Sequence, residues 1–377
     1  MSIETANDDG ANALYSSFHE RFKEVEERFG VKRVVLEEVP LVDFSPFSQN
    51  GSEADKKEAA RQIRDACINI GFFYIENHGI PGDQLDEALA WCHRFFELPA
   101  DEKMKLHHRL YPSYRGYFPS DSETITPGFE PDPKEGYDMC RYMAADDPER
   151  GQPMMGDTPW PEESLLPGFH SFMSDHLEKR LDQARMLMRA FAVSLDLPES
   201  YFDPMHRYPF CDMRLCYYPP QKLSQIHERR WSCGPHTDYM AITVLLQDNT
   251  GGLEVRNLAG DWISAPKVRD TLSVNIGDML SSWTNDLYSG NPHRVANVSD
   301  KSRVSIPIFM GPDSRTTVGC LDTCQGPDNP PRYAPLTCGQ HVCNIIKATH
   351  PEGETDMLEN IDPNASEGFR DADRLGA

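Results

Sequence analysis

The sequence predicts an α+β chain with a mainly β core, and three observations lead there. Apolar residues recur at helical spacing through residues 53–99 and again through 169–195. From about residue 211 the period switches to two. About eight short apolar segments then follow one another, split by turns such as Asp248-Asn249-Thr250-Gly251-Gly252, as in an all-β sandwich or barrel.

Residues 1–38 are polar and acidic, with Phe18, Phe22, Val25 and Phe29 at helical spacing, and read as an N-terminal extension. At Val39 the character changes: VPLVDFS alternates apolar and polar, as a half-buried strand does. Ser52-x-x-Asp55 predicts a helix start of the capping-box type. Ala59, Ile63, Ala66, Cys67 and Ile70 mark the face that helix buries. Gly71 ends it, and Phe72-Phe73-Tyr74-Ile75 reads as buried strand. Leu85, Ala88, Leu89, Cys92, Phe95 and Phe96 mark a second amphipathic helix, stopped by Pro99.

Residues 104–167 are rich in Pro, Gly, Asp, Tyr and Met and weakly periodic, the composition of a lid or binding surface. A helix of about 28 residues follows, with a core stripe from Phe169 to Phe191 and His176 at its edge. Beyond 211, Met213, Leu215 and Tyr217 alternate. Strands are expected at 240–247, 253–256, 262–267, 271–276, 279–283, 293–297 and 303–310. Residues 351–377 hold eight acids and two arginines and read as a tail. The expected parts are an extension over 1–38, a helix-rich region over 39–200, a β core over 201–345 and an acidic tail over 346–377.

With 377 residues the chain has ample length for a large core. Its 37 basic and 60 acidic residues give a net charge of −23. That balance argues against general nucleic-acid binding, which needs basic surface, but not against a local basic pocket for an anionic small molecule. No apolar run approaches the roughly 18 residues of a membrane helix. The opening MSIETANDDG lacks the basic-then-apolar layout of a signal peptide, and no protein partner is evident, so a cytoplasmic location is expected. Ten cysteines without a C-x-x-C pair are expected to be small core residues in a reducing compartment.

His236-Thr237-Asp238 leads into a strand, where residues i and i+2 project to the same face. One imidazole and one carboxylate therefore stand side by side. His293, with 54 residues between it and Asp238, lies at a loop-to-strand boundary in NPHRVANV and is the natural third ligand. Two histidines and one carboxylate leave open positions on a metal and suit non-haem Fe(II) oxygenases. Two other H-x-E triplets compete less well. His176-Leu177-Glu178 sits on a helix, where i and i+2 do not share a face, and no histidine follows His350-Pro351-Glu352. Ten residues beyond His293, Arg303-Val304-Ser305 offers a guanidinium and a hydroxyl on one face. That pair fits the far carboxylate of an α-keto acid that chelates iron.

Several blocks carry a family resemblance: VPLVDFS, GFFYIENHGIP, FFELP, RLCYYPP, GPHTDYMAITVLLQD, GGLEV, VNIGDML, WTND, HRV and RVSIPIFM. In this order the chain resembles the isopenicillin-N-synthase-like superfamily of 2-oxoglutarate/Fe(II) dioxygenases over most of residues 39–345. The resemblance implies a distorted double-stranded β-helix, or jelly roll, with a helical N-terminal region packed on it. It implies His236, Asp238 and His293 as iron ligands, Arg303 and Ser305 as the clamp on 2-oxoglutarate, and Tyr218 as a further cosubstrate contact. Many relatives carry Asn where this chain has Cys216.

The implied activity is oxidation of an unactivated C–H bond of a small molecule by hydroxylation, desaturation or oxidative cyclisation, with release of succinate and CO2. Fe(II), 2-oxoglutarate and O2 are the implied cofactors, with ascorbate as a stimulant. For the substrate, Tyr114, Tyr117, Glu135, Tyr137, Arg214 and Trp283 are candidate contacts, beside Arg229 and Arg230 in the 221–232 loop. PDPKEGYDM resembles the ethylene-forming and homoarginine-hydroxylating branch, which nominates Glu135 for an ammonium or guanidinium group. The arginines would instead suit a carboxylate, and together these features suggest an amino-acid-like substrate. Residues 120–130 are the expected lid, and Asn275-Ile276-Gly277-Asp278 reads as turn chemistry. Two alternatives stay open here: an oxidase of the isopenicillin N synthase type that needs no 2-oxoglutarate, and an inactive ligand-binding relative.

Overall fold

Ser52 caps the helix Glu53–Asn69 by accepting the Asp55 N–H at 3.2 Å. The Asp55 carboxylate bonds the Ser52 hydroxyl at 2.6 Å instead of the backbone, so half of the expected box forms. The computed structural model describes residues 28–349 apart from 127 and 153. The helical pattern at Phe18, Phe22 and Val25, the triplet from His350 and the acidic residues 351–377 lie outside the described residues.

The strands of the two larger sheets are β1 Leu41–Asp43, β2 Phe72–Glu76, β3 Gly116–Phe118, β4 Glu135–Met139, β5 Cys211–Tyr218 and β6 Cys233–His236, then β7 Ile242–Gln247, β8 Leu253–Arg256, β9 Trp262–Ser264, β10 Leu272–Ile276, β11 His293–Val295 and β12 Arg303–Met310. Eight form a main sheet in the order β1-β2-β10-β7-β12-β5-β4-β3, and four form a minor sheet in the order β6-β11-β8-β9. Every pair in both sheets is antiparallel except β1 with β2. The two sheets make the jelly roll, and strands from both sides of residue 200 complete the main one.

Strand alternation sorts the main sheet into two faces. Val244, Val274, Ile306, Ile308, Met213 and Leu215 turn outward and share one apolar core with the helices Gly82–Phe96 and Phe169–Ser194. The residues between them turn inward. Phe72, Cys216 and Tyr218 there pack with Cys233, Leu253, Val255 and Val295 of the minor sheet.

Two expectations are corrected. Residues 279–283 are not a strand but part of the helix Asp278–Trp283. A five-residue segment is too short for its period to separate the two states, and here Met279, Leu280 and Trp283 fall at helical spacing in the core. Only glycine fits at the entry to that helix, because a Cβ on Gly277 would lie 1.9 Å from the Met240 carbonyl. Residues 104–167 are not a surface segment throughout: β3 and β4 extend the main sheet, and β3 is buried on both faces, which hides its alternation. All ten cysteines are free, nine of them buried. No helix among the described residues is long and apolar enough to cross a membrane.

Candidate metal and cosubstrate site

His236 ends β6 and His293 opens β11, and the two residues are direct partners across the antiparallel pair. Their rings lie 4.2 Å apart. Asp238 follows two residues after His236. Its Oδ1 lies 3.6 Å from His236 Nε2 and 3.8 Å from His293 Nε2. One ligand atom from each of the three falls within 4.8 Å of the others, in the one such group found among the described residues.

Each atom turned away from this point is occupied. His236 Nδ1 meets the Gly234 carbonyl at 2.8 Å, and His293 Nδ1 meets the Asn291 carbonyl at 3.3 Å. Those contacts select the tautomer that leaves Nε2 with its lone pair. Asp238 Oδ2 accepts from Asn275 Nδ2 at 2.7 Å and from the Thr243 hydroxyl. Burial pushes His236 below its usual value and His293 down to about 4, so both are neutral donors at pH 7. Burial opposes ionisation of Asp238, but the imidazoles and the two donated hydrogen bonds outweigh it and hold the carboxyl below its ordinary value.

Arg303 lies across from Tyr218 in the β12–β5 register, its guanidinium 4.8 Å from the tyrosine ring centroid. It is 1% exposed. Nη1 donates to Ser305 Oγ at 3.1 Å and Nη2 to Gln247 Oε1 at 3.0 Å. Nε has no partner, and no described carboxylate pairs with this buried cation. A buried guanidinium without a counter-charge is costly, so the arrangement can accommodate an anion. Gln247 is anchored in turn by its own amide on the Ala265 carbonyl at 2.9 Å. Arg303, Ser305 and Tyr218 are thus brought together as expected, and Gln247 is an addition. Its signal in the sequence was its position: Thr243, Leu245 and Gln247 share one strand face.

The inner face continues as a charged chamber. Arg214 gives Nε and Nη2 to Asp138 at 2.5 and 2.7 Å and Nη1 to Glu123 at 3.0 Å. Lys134 pairs with Asp132 at 2.7 Å and Glu123 at 3.4 Å, and Arg115 with Asp212 at 3.0 Å. Burial works against the Arg214 and Lys134 charges, but these carboxylates hold both well above their ordinary values. Phe309 and Tyr239 keep partial exposure beside them. Phe309 was legible too: it shares a face with Arg303 and Ser305 at even offsets.

Four other candidates are corrected. Register pairs Glu135 with Tyr217, Tyr137 with Leu215 and Tyr117 with Tyr137, which puts all three on the outer face. Glu135 there takes Lys103 Nζ at 2.6 Å and the Tyr117 hydroxyl at 2.5 Å. The Tyr137 hydroxyl donates to the Pro159 carbonyl, its ring 4.2 Å from that of Phe95. Trp283 is a core residue against Phe202. Tyr114 packs on His108 and Phe118, and Phe118 reaches the inner face beside Arg214. Arg229 lies over Phe129, and Arg230 pairs with Asp121 at 2.6 Å. The 120–130 segment touches β6 through Thr126, whose hydroxyl donates to the Pro235 carbonyl at 2.9 Å.

The chain matches two family models: non-haem dioxygenase in morphine synthesis N-terminal over residues 39–163, and the 2OG-Fe(II) oxygenase superfamily over 209–312. It is 37% identical over 319 residues to the 2-oxoglutarate-Fe(II) type oxidoreductase ppzC of Metarhizium majus, covering 80% of this chain and 84% of that protein. It is 36% identical over 297 residues to homoarginine-6-hydroxylase 2-ODD-C23 of Glycine max, covering 76% and 88%. The crystal structure of a full-length Neurospora crassa protein in complex with alpha-KG and thymine is similar with a TM-score of 0.71 at 29% identity, covering 82% of this chain and 96% of that one.

Proposed function

This chain belongs to the 2-oxoglutarate/Fe(II) oxygenase superfamily, and we propose that it oxidises a cationic, amino-acid-like small molecule at a centre built from His236, Asp238 and His293. As a member of that superfamily it is an oxidoreductase that uses Fe(II), 2-oxoglutarate and O2. In this reading the three residues hold Fe(II), and Arg303 with Ser305 holds the distal carboxylate of 2-oxoglutarate. When bound, iron and 2-oxoglutarate supply the oxidant for a C–H bond, with succinate and CO2 released.

The observation that carries the reading is the convergence of three ligand atoms within 4.8 Å while the opposite atom of each side chain is already bonded. The chain's own work is then positional. Two neutral imidazoles and one carboxylate keep their orientation through fixed acceptors and donors. Gln247 holds the Arg303 fork, and Tyr218 supports it from one face.

The buried charges of the inner face support that substrate class. The chamber's interlinked charges are four acids (Glu123, Asp132, Asp138, Asp212) and three bases (Arg115, Lys134, Arg214). All three nitrogens of Arg214 are engaged, which disfavours a carboxylate there, and the cluster's excess of one acid over its bases favours an ammonium or guanidinium. The similarity to a homoarginine hydroxylase supports the same class.

The test is O2-dependent succinate release with Fe(II), 2-oxoglutarate and ascorbate, screened over lysine, arginine, homoarginine and their uncharged isosteres. Stimulation by the cations alone, with a product one oxygen heavier, is expected for hydroxylation. Loss of two hydrogens would identify desaturation or cyclisation. Equal stimulation by uncharged isosteres would sink the substrate class.

A further inference from the structure

The three metal-site side chains are not oriented in the same way. The two histidines are held by backbone carbonyls, of Gly234 and Asn291. Substitution of those residues leaves the carbonyls in place. His236 Nδ1 also has the Cys233 thiol at 3.9 Å, but the orientation of Asp238 rests on side-chain donors to its carboxylate. Its Oδ2 accepts from Asn275 Nδ2 at 2.7 Å and from the Thr243 hydroxyl, while Oδ1 faces both Nε2 atoms.

Thr243 and Asn275 are direct cross-strand partners on the inner face of β7 and β10. Both are about 3% exposed. The main sheet therefore holds the Asp238 carboxylate through this pair of residues, although the histidines belong to the minor sheet. A one-residue slip of either strand would turn its member of the pair to the apolar outer face. Backbone contacts fix the approach as well: the Asp238 carbonyl accepts the Asp278 N–H at 2.8 Å, where Gly277 leaves room.

A carboxylate held by one oxygen offers a metal the other. Freed to rotate, it can present either oxygen or both, with a different charge placement and coordination number. We infer that Thr243 and Asn275 are positioning residues for the metal, locking Asp238 so that Oδ1 alone is presented. This rests on the reading of His236, Asp238 and His293 as the metal-holding set.

Metal-stripped full-length protein titrated with Mn(II), with free Mn(II) followed by electron paramagnetic resonance, tests it without turnover. Thr243→Val and Asn275→Ala are each expected to weaken Mn(II) binding about 10-fold or more, the scale on which partners of metal ligands act. Thr243→Ser keeps the hydroxyl and is expected to rescue affinity to within about threefold. Thermal unfolding of the metal-free Val and Ser variants should be the same, which a merely structural role would not allow alongside an affinity gap. Valine keeps the branching of threonine, so this pair decides the matter even if Asn275→Ala does not fold. Binding of Mn(II) by Thr243→Val as tightly as by Thr243→Ser overturns the inference. A different failure belongs to the metal-site reading itself: wild type that binds no Mn(II), or His236→Ala that binds it as wild type does.

Discussion

Along β12, Val304, Ile306, Ile308 and Met310 vanish under the helices, while Arg303 and Ser305, on the same strand, face the minor sheet. The outer face is filled by apolar side chains that need only volume and shape. The inner face is filled by polar groups, and most of them have a named partner: Arg303 with Gln247 and Ser305, Asp238 with Thr243 and Asn275, Arg214 with Asp138 and Glu123. An error on the outer face costs stability. An error on the inner face strands a buried polar group and, on the proposed reading of these groups, costs function.

The sharpest way to break this comparison is at the metal site. His236→Ala should reduce 2-oxoglutarate turnover to background while leaving the metal-free fold intact by circular dichroism. Activity within a few-fold of wild type would refute the ligand assignment. On the outer face, Leu181→Ala under the main sheet should cost about 2–5 kcal/mol of stability in denaturant titration, with the KM for 2-oxoglutarate unchanged. A large KM shift would mean the two faces are not separable. Arg303→Ala should weaken 2-oxoglutarate binding by roughly 1.5–3 kcal/mol, the scale of a lost charge-assisted bond, measured by calorimetry on the Mn(II) form. An unchanged affinity would place the clamp elsewhere.

The smallest effect concerns a polar group on the wrong side. His176 is fully buried in the long helix, and burial pulls it down to about 3. It is neutral in the folded state and charges readily once unfolded. Its contribution is therefore present above about pH 6.5 and is lost as pH falls from there toward 3. At pH 5 the wild type should have lost about 2 kcal/mol relative to pH 7 that His176→Phe retains. Parallel pH profiles would show that the helix interior does not resist protonation.

The site was legible where its signal is local. His236-x-Asp238 and Arg303-x-Ser305 are period-two pairs within single strands, and their chemistry is visible in the residue types. His293 needed one long-range step and was reachable because few histidines sit at strand starts. Asn275 was read as turn chemistry because its neighbours Gly277 and Asp278 are turn-like. Its inward position in LSVNI, where Ser273 and Asn275 interrupt an apolar strand, was the available clue. Trp283 was misplaced because a segment as short as 279–283 looks alike in helix and strand.

What the sequence determined by itself was the His236-Asp238 pair, the Arg303-Ser305 pair and the alternation of the strands, since each depends on a backbone period that two or three residues reveal. Only the tertiary structure decided which face of β4 turns inward. Glu135 and Asp138 both lie on that strand, yet register with β5 sends Glu135 to Lys103 on the outer face and Asp138 to Arg214 in the chamber. The side-chain period of a strand is two, so a shift of one residue exchanges every inward group for an outward one. That choice is set by hydrogen bonds to residues some eighty positions away.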